Sequence, residues 1–208
     1  MIERVALVTD DGERLDGECA RASDEHARAV LCHPHPQFGG SMRSLVTSEL
    51  FGALPGRGIT CLRFDFRGVG ASTGAFGDGV GERHDVRAAL RALADPDGRV
   101  PTFLVGWSFG ADLALSVRDP EIAGWCAIAL PLRWLDDAAA TGADPRPKLV
   151  LLAEHDEFRA AADVQAVTST WTKCRTEIVG GASHFFVGRT AHLVDAVSAW
   201  IDEQVGRR

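Results

Sequence analysis

The strongest constraint on how this chain can fold is an alternation. Short, nearly unbroken apolar runs take turns with stretches of helical periodicity. Residues 29–32, 59–66, 102–107, 124–130, 148–153 and 174–179 read as strands. Helical stretches lie between and after them, at 44–54, 81–94, 109–118, 133–139, 160–171 and 189–203. In the last of these, Leu193, Val194, Val197, Trp200 and Ile201 share one face. Two further strands, 2–8 and 14–21, open the chain. A strand that is apolar at almost every position must be covered on both faces, which a parallel sheet between helical layers achieves. The predicted fold class is therefore α/β, with a mostly parallel central sheet of about eight strands and helices on both faces. A length of 208 residues suits one domain over 1–208, and neither a repeat nor a linker interrupts it.

Composition narrows the function classes. With 46% hydrophobic and 25% charged residues, the chain is not predominantly disordered. A net charge of −7 and the lack of a long basic patch argue against nucleic acid and anionic membrane as partners, leaving a small-molecule substrate. No apolar core of signal-peptide length follows Met1-Ile2-Glu3-Arg4, and no run approaches a membrane span, so a cytoplasmic location is expected. The absence of tyrosine removes a phenolic catalyst. Cys19, Cys32, Cys61, Cys126 and Cys174 are scattered without a CxxC pair, which fits neither a disulfide framework nor a structural zinc site. They read as small buried apolar residues.

In a sheet of this kind, chemistry gathers beyond the carboxyl ends of the strands. After strand 102–107 comes Gly106-Trp107-Ser108-Phe109-Gly110, a G-x-S-x-G sequence between a strand and a helix. A sharp turn there lifts the serine hydroxyl above the sheet, and the glycines remove side chains that would clash. A nucleophilic serine needs a base, and the base needs an orienting acid. Strand 148–153 runs into Glu154-His155-Asp156-Glu157, and strand 174–179 runs into Gly180-Gly181-Ala182-Ser183-His184. Ser108, Asp156 and His184 thus follow three strands that end on one rim. Glu154, Glu157 and Asp163 compete with Asp156 for the role of the acid.

The loop His33-Pro34-His35-Pro36-Gln37-Phe38-Gly39-Gly40 follows strand 29–32. Acyl transfer needs N–H donors for a developing oxyanion. Phe109 N–H, directly after the serine, is one candidate. Gln37 N–H is the other, with Phe38 as the neighbouring alternative, since Pro34 and Pro36 have no N–H. His33 is expected to shape the loop, and His35 to shape it or line a pocket together with Phe38, Trp134 and Phe109. Trp107 is expected in the core. The H-x-H pair lacks further ligands at metal-binding spacing, so no metal is assigned, and the proposed chemistry needs no cofactor. Gly68-Val69-Gly70-Ala71-Ser72-Thr73-Gly74 has Thr73 where a dinucleotide loop has its third glycine, and no helix follows directly. It reads as a glycine-rich turn in which Asp65 and Arg67 make local hydrogen bonds.

Taken in order, HPHPQFGGSM (33–42), RFDFRGVGAS (63–72), GVGERHD (79–85), GWSFG (106–110), HD (155–156) and GASHFF (181–186) resemble the small capless bacterial α/β-hydrolases related to dienelactone hydrolase. The resemblance implies an α/β-hydrolase fold and a Ser-Asp-His hydrolase. It implies no substrate, because the dienelactone enzymes carry a cysteine nucleophile where this chain has Ser108. Only residues 131–147 separate strand 124–130 from strand 148–153, which leaves no room for a cap domain. The expected activity is cleavage of an ester or thioester of a small molecule. Amide or peptide hydrolysis by the same triad, and ligand binding without catalysis, are the alternatives.

Overall fold

The computed structural model describes residues 2–95 and 97–207. Its eight strands are β1 (Ile2–Val8), β2 (Arg14–Ala20), β3 (Ala27–Cys32), β4 (Ile59–Phe64), β5 (Thr102–Trp107), β6 (Ile122–Ile128), β7 (Lys148–His155) and β8 (Cys174–Ser183). The helices are α1 (Leu45–Ala53), α2 (Glu82–Leu93), α3 (Phe109–Ser116), α4 (Ala138–Ala143), α5 (Ala161–Thr168) and α6 (Thr190–Gln204). All strands join one sheet in the order β1-β2-β4-β3-β5-β6-β7-β8. β1 and β2 pair antiparallel, as do β2 and β4, and every other pair is parallel. The expected architecture is therefore the observed one.

Side-chain alternation divides the core into two layers. On β3, Val30 and Cys32 join Leu62, Phe64 and Leu104 beneath α2 and α3. Ala29 and Leu31 face the other way and join Phe103, Val105 and Leu149 against α1 and α6. The apolar stripe of α6, from Leu193 to Ile201, lies buried on that second face, as its periodicity predicts. All five cysteines fall in strands, and all but Cys174 are buried.

Two local expectations need correction. The helix expected at 133–139 forms instead at Ala138–Ala143. The N–H groups of Leu132, Arg133, Trp134 and Asp136 are taken by side chains of α3, and Leu132 has a positive φ of 56°, so that segment cannot coil. Asp137 then caps α4 by accepting from Ala140 N–H at 2.9 Å. The last strand, expected to stop at 179, continues to Ser183 past a register shift opposite 153–155, which delivers His184 directly from the strand.

The glycine-rich turn after β4 folds as expected. Ser72 Oγ donates to Asp65 O at 2.7 Å, and Asp65 Oδ1 accepts Met42 N–H at 2.7 Å. Arg67 is clasped by the buried Asp85 (Nη2 to Oδ1, 2.7 Å) and by Asp11 (Nη1 to Oδ2, 2.8 Å). This anchors the turn to α2 and to the β1–β2 hairpin.

Candidate active site

β5 ends at Trp107 and α3 begins at Phe109, which leaves Ser108 alone at the turn with φ 55° and ψ −121°. A left-handed backbone at a non-glycine residue costs on the order of 1–3 kcal/mol, so the surrounding packing must enforce it. The flanking glycines show how tight that packing is. A Cβ on Gly106 would sit 2.1 Å from Gly110 O, and one on Gly110 would sit 2.3 Å from Cys32 O. The strand-to-helix crossing is closed by backbone alone, and the serine is the part left outside.

His184 reaches the serine from β8. Its Nε2 lies 2.9 Å from Ser108 Oγ, and its Nδ1 lies 2.8 Å from Asp156 Oδ2. Asp156 Oδ1 accepts the N–H groups of Phe158 at 2.9 Å and Arg159 at 3.1 Å, so each carboxylate oxygen has a separate task. Burial pushes the Asp156 carboxyl up. The hydrogen bond from His184 and the two N–H groups outweigh it and hold the carboxyl below its ordinary value. An ionised Asp156 draws the ring proton to Nδ1, leaving Nε2 free to accept from the serine hydroxyl.

The competing acids have other work. Glu157 Oε2 accepts His184 N–H at 3.0 Å, Glu154 Oε2 accepts Gly181 N–H at 2.7 Å, and Asp163 lies 3.8 Å from Arg159. Trp107 is buried as expected, and its Nε1 also donates to His184 O at 3.1 Å. Glu157 and Trp107 therefore fix the histidine backbone from both sides, a role their positions in the sequence do not reveal.

His33 is fully buried. Its Nδ1 meets Pro34 O at 2.6 Å and its Nε2 accepts Phe66 N–H at 3.0 Å, while burial pushes the imidazole down to about 3. A neutral ring thus staples the loop to the end of β4. Residues 36–38 form a 3₁₀ turn capped by His35, whose Nδ1 accepts Gln37 N–H at 3.2 Å. Phe38 N–H goes to His35 O at 3.1 Å. Both N–H groups singled out from the sequence in this loop are therefore already engaged within the turn. His35 N–H makes no hydrogen bond among the described residues. Phe109 N–H, the first of its helix, has no intrahelical acceptor.

The predicted pocket residues gather as an aromatic wall. His35 lies 4.8 Å from Phe38, 4.9 Å from Phe76, 5.1 Å from Phe109 and 4.9 Å from Trp134, ring centre to ring centre. Phe109 is wholly buried, whereas Phe38 is 84% exposed. On the other side, Phe158 and Phe185 flank the His184 ring at 4.5 and 5.5 Å, and both are exposed. Sequence reasoning missed Phe76, Phe158 and Phe185. Cavities of about 560 and 290 Å³ exist between α4 and α5 and at the start of β7 and β8, but Ser108, Asp156 and His184 line neither.

No family model matches the chain. An uncharacterised protein of Rickettsia prowazekii (strain Madrid E) is 33% identical over 200 residues, covering 90% of this chain and 84% of its own. The structure of an α/β serine hydrolase homologue from Coxiella burnetii superposes with a TM-score of 0.85 at 30% identity, covering 95% of this chain and 96% of that one. The chain belongs to the α/β-hydrolase family. A lidless α/β serine hydrolase from Xanthomonas campestris is similarly close, with a TM-score of 0.79 at 28% identity over 98% of this chain and 93% of that one. Among the described residues, this α/β-hydrolase likewise has no cap domain inserted between β6 and β7. Between β6 and β7 it has only α4 and its flanking turns.

Proposed function

We propose that this hydrolase cleaves a carboxylic ester or thioester of a small molecule through an acyl-enzyme. One observation carries the reading: an unbroken relay of two hydrogen bonds, Ser108 Oγ to His184 Nε2 at 2.9 Å and His184 Nδ1 to Asp156 Oδ2 at 2.8 Å. In this reading His184 Nε2 takes the hydroxyl proton as Ser108 Oγ attacks the carbonyl carbon. The protonated ring then hands that proton to the leaving alcohol or thiol. A water molecule repeats the sequence on the acyl-serine, giving the proton to His184 and releasing the acid. Asp156 holds the tautomer and balances the imidazolium charge.

Phe109 N–H is the first oxyanion donor, and the second comes from the His35–Phe38 turn. Gln37 N–H serves if it leaves its long bond to His35 Nδ1, whereas His35 N–H has no bond to give up. Losing one such donor typically costs on the order of a hundred-fold or more in turnover. The exposed rings of Phe38 on one side of the relay and of Phe158 and Phe185 on the other support an apolar acyl or aromatic substrate. A fluorophosphonate probe tests the reading. It should label Ser108 in the folded protein and fail with Ser108→Ala or after denaturation. A folded sample that takes no label overturns it.

A further inference from the structure

We propose that Asp112 is a positioning residue for the acyl side of this active site: its carboxylate ties down Leu132–Trp134 so that Trp134 forms a fixed wall over His35 and Phe109. The inference rests on the serine-hydrolase reading for its substrate side and on geometry for the tether.

Asp112 lies one turn into α3 after Ser108, and it is wholly buried. A buried carboxylate must have its lone pairs filled. Here they are filled by three successive backbone donors. Leu132 N–H reaches Oδ1 at 3.1 Å, and the N–H groups of Arg133 and Trp134 reach Oδ2 at 2.8 Å each. The positive φ of Leu132 turns these donors inward, so the loop wraps the carboxylate as an anion-binding nest. Further along α3, Ser116 Oγ accepts Asp136 N–H at 3.1 Å, and Leu115 O accepts from Thr141 Oγ1 at 3.2 Å. Helix α3 therefore grips the whole segment, and Asp112 is the grip nearest the nucleophile.

Trp134 is what this grip holds in place. Its ring centre lies 4.9 Å from His35 and 5.2 Å from Phe109, and its Nε1 donates to Asp78 Oδ1 at 3.0 Å. Gly79, at φ 84°, leaves the indole just enough room, because a Cβ there would sit 3.1 Å from Trp134 Cδ1. The sides of the site follow from proton delivery. His184 must protonate the leaving group, so that group lies beside Phe158 and Phe185. The acyl group then extends the other way, along His35, Phe76 and Trp134.

The test compares p-nitrophenyl octanoate with p-nitrophenyl acetate. Asp112→Asn keeps the size of the side chain but turns an amide donor toward the loop N–H groups. The octanoate-to-acetate ratio of KM should rise about ten-fold, the worth of one lost charge-assisted hydrogen bond, and the change should sit in KM rather than kcat. Trp134→Ala should shift the ratio the same way, and Asp112→Asn should add little on top of it. In the wild-type protein the amides of Leu132, Arg133 and Trp134 should be protected from hydrogen exchange despite lying in a loop. Equal losses of kcat on both esters, additive effects of the two substitutions, or fast exchange at those amides would overturn the proposal. Should Asp112→Asn fail to fold, the exchange rates and Trp134→Ala decide it. Fluorophosphonate labelling of Ser108 is read alongside. Its failure in wild-type protein would count against the hydrolase reading, while the exchange result still judges the tether.

Discussion

Replacing Gly110 with alanine puts one methyl group into a crossing closed by backbone atoms. The new Cβ would lie 2.3 Å from Cys32 O, 2.6 Å from Cys32 C and 2.6 Å from His33 O. Carbon and oxygen approach to about 3.3 Å without repulsion, so α3 and the end of β3 must separate by roughly 1 Å. Neither partner yields easily, because β3 is an interior strand paired on both sides, to β4 and β5. Overpacking of this kind costs about 1–3 kcal/mol. Alanine returns up to about 1 kcal/mol of helix propensity, so at the upper end the net loss is roughly 2 kcal/mol. For a chain of this length that lowers Tm by about 4–8 °C. The same displacement moves Ser108 against the loop that carries His33 and His35, and a misplacement of about 1 Å costs on the order of a hundred-fold in turnover. Gly52→Ala is the control. Gly52 lies in α1 with nothing within 4 Å of its would-be Cβ, so it should gain about 0.5–1 kcal/mol and leave turnover alone. Calorimetry and p-nitrophenyl acetate hydrolysis measure both effects. A Gly110→Ala protein that melts with the wild type and turns over at its rate would refute the claim that backbone contact closes this crossing.

Three further outcomes are expected. Asp156→Asn should fold normally and lose about 10⁴-fold in kcat, because an amide facing His184 Nδ1 reverses the ring tautomer and turns an N–H toward Ser108. Steady-state kinetics beside a melting curve would show whether the loss is catalytic. Arg67→Met strips the buried Asp85 of its cation and should cost about 3–5 kcal/mol, whereas Asp11→Asn, at the exposed end of the same cluster, should cost about 1 kcal/mol or less. Equal denaturant midpoints for the two variants would contradict that ranking. Burial raises the Asp112 carboxyl to about 6 against the pull of its three N–H partners, and no charged side chain contributes. A raised folded-state value means that Asp112 favours the fold fully below its unfolded value of about 4, and that this share is lost as pH climbs through 6. The stability of wild type relative to Asp112→Asn should therefore fall by about 3 kcal/mol between pH 4 and pH 7, an order-of-magnitude figure from about two pH units of displacement. Urea titrations across that range that run parallel for the two proteins would exclude it.

What the sequence discloses about this site follows from how α/β sheets are wired. Continuous apolar runs can only be interior strands, and their carboxyl ends share one rim. Ser108 and Asp156 are legible because β5 and β7 are such runs, whereas β8 is an edge strand carrying Arg175, Thr176 and Glu177, so His184 is legible only from its place after the last strand. The helix expected at 133–139 was not legible in the same way, because its residues lose their N–H groups to a neighbouring element. A helical pattern in local sequence cannot register that Asp112 and Ser116, on a different helix, out-compete the local carbonyls. Glu154, Glu157 and Asp156 illustrate the same limit at finer scale. Three acids within four positions look equivalent on paper, and the bulge opposite 153–155 decides which one meets the imidazole and which two meet backbone. There was one readable hint. An aspartate inside the apolar helix Phe109–Ser116 is costly unless something satisfies it, so its presence already announced a partner that the local sequence does not contain. In a hydrolase without a cap, that partner is the loop standing in the cap's place, and the cost of burying one carboxylate is what gives so short a loop a defined shape.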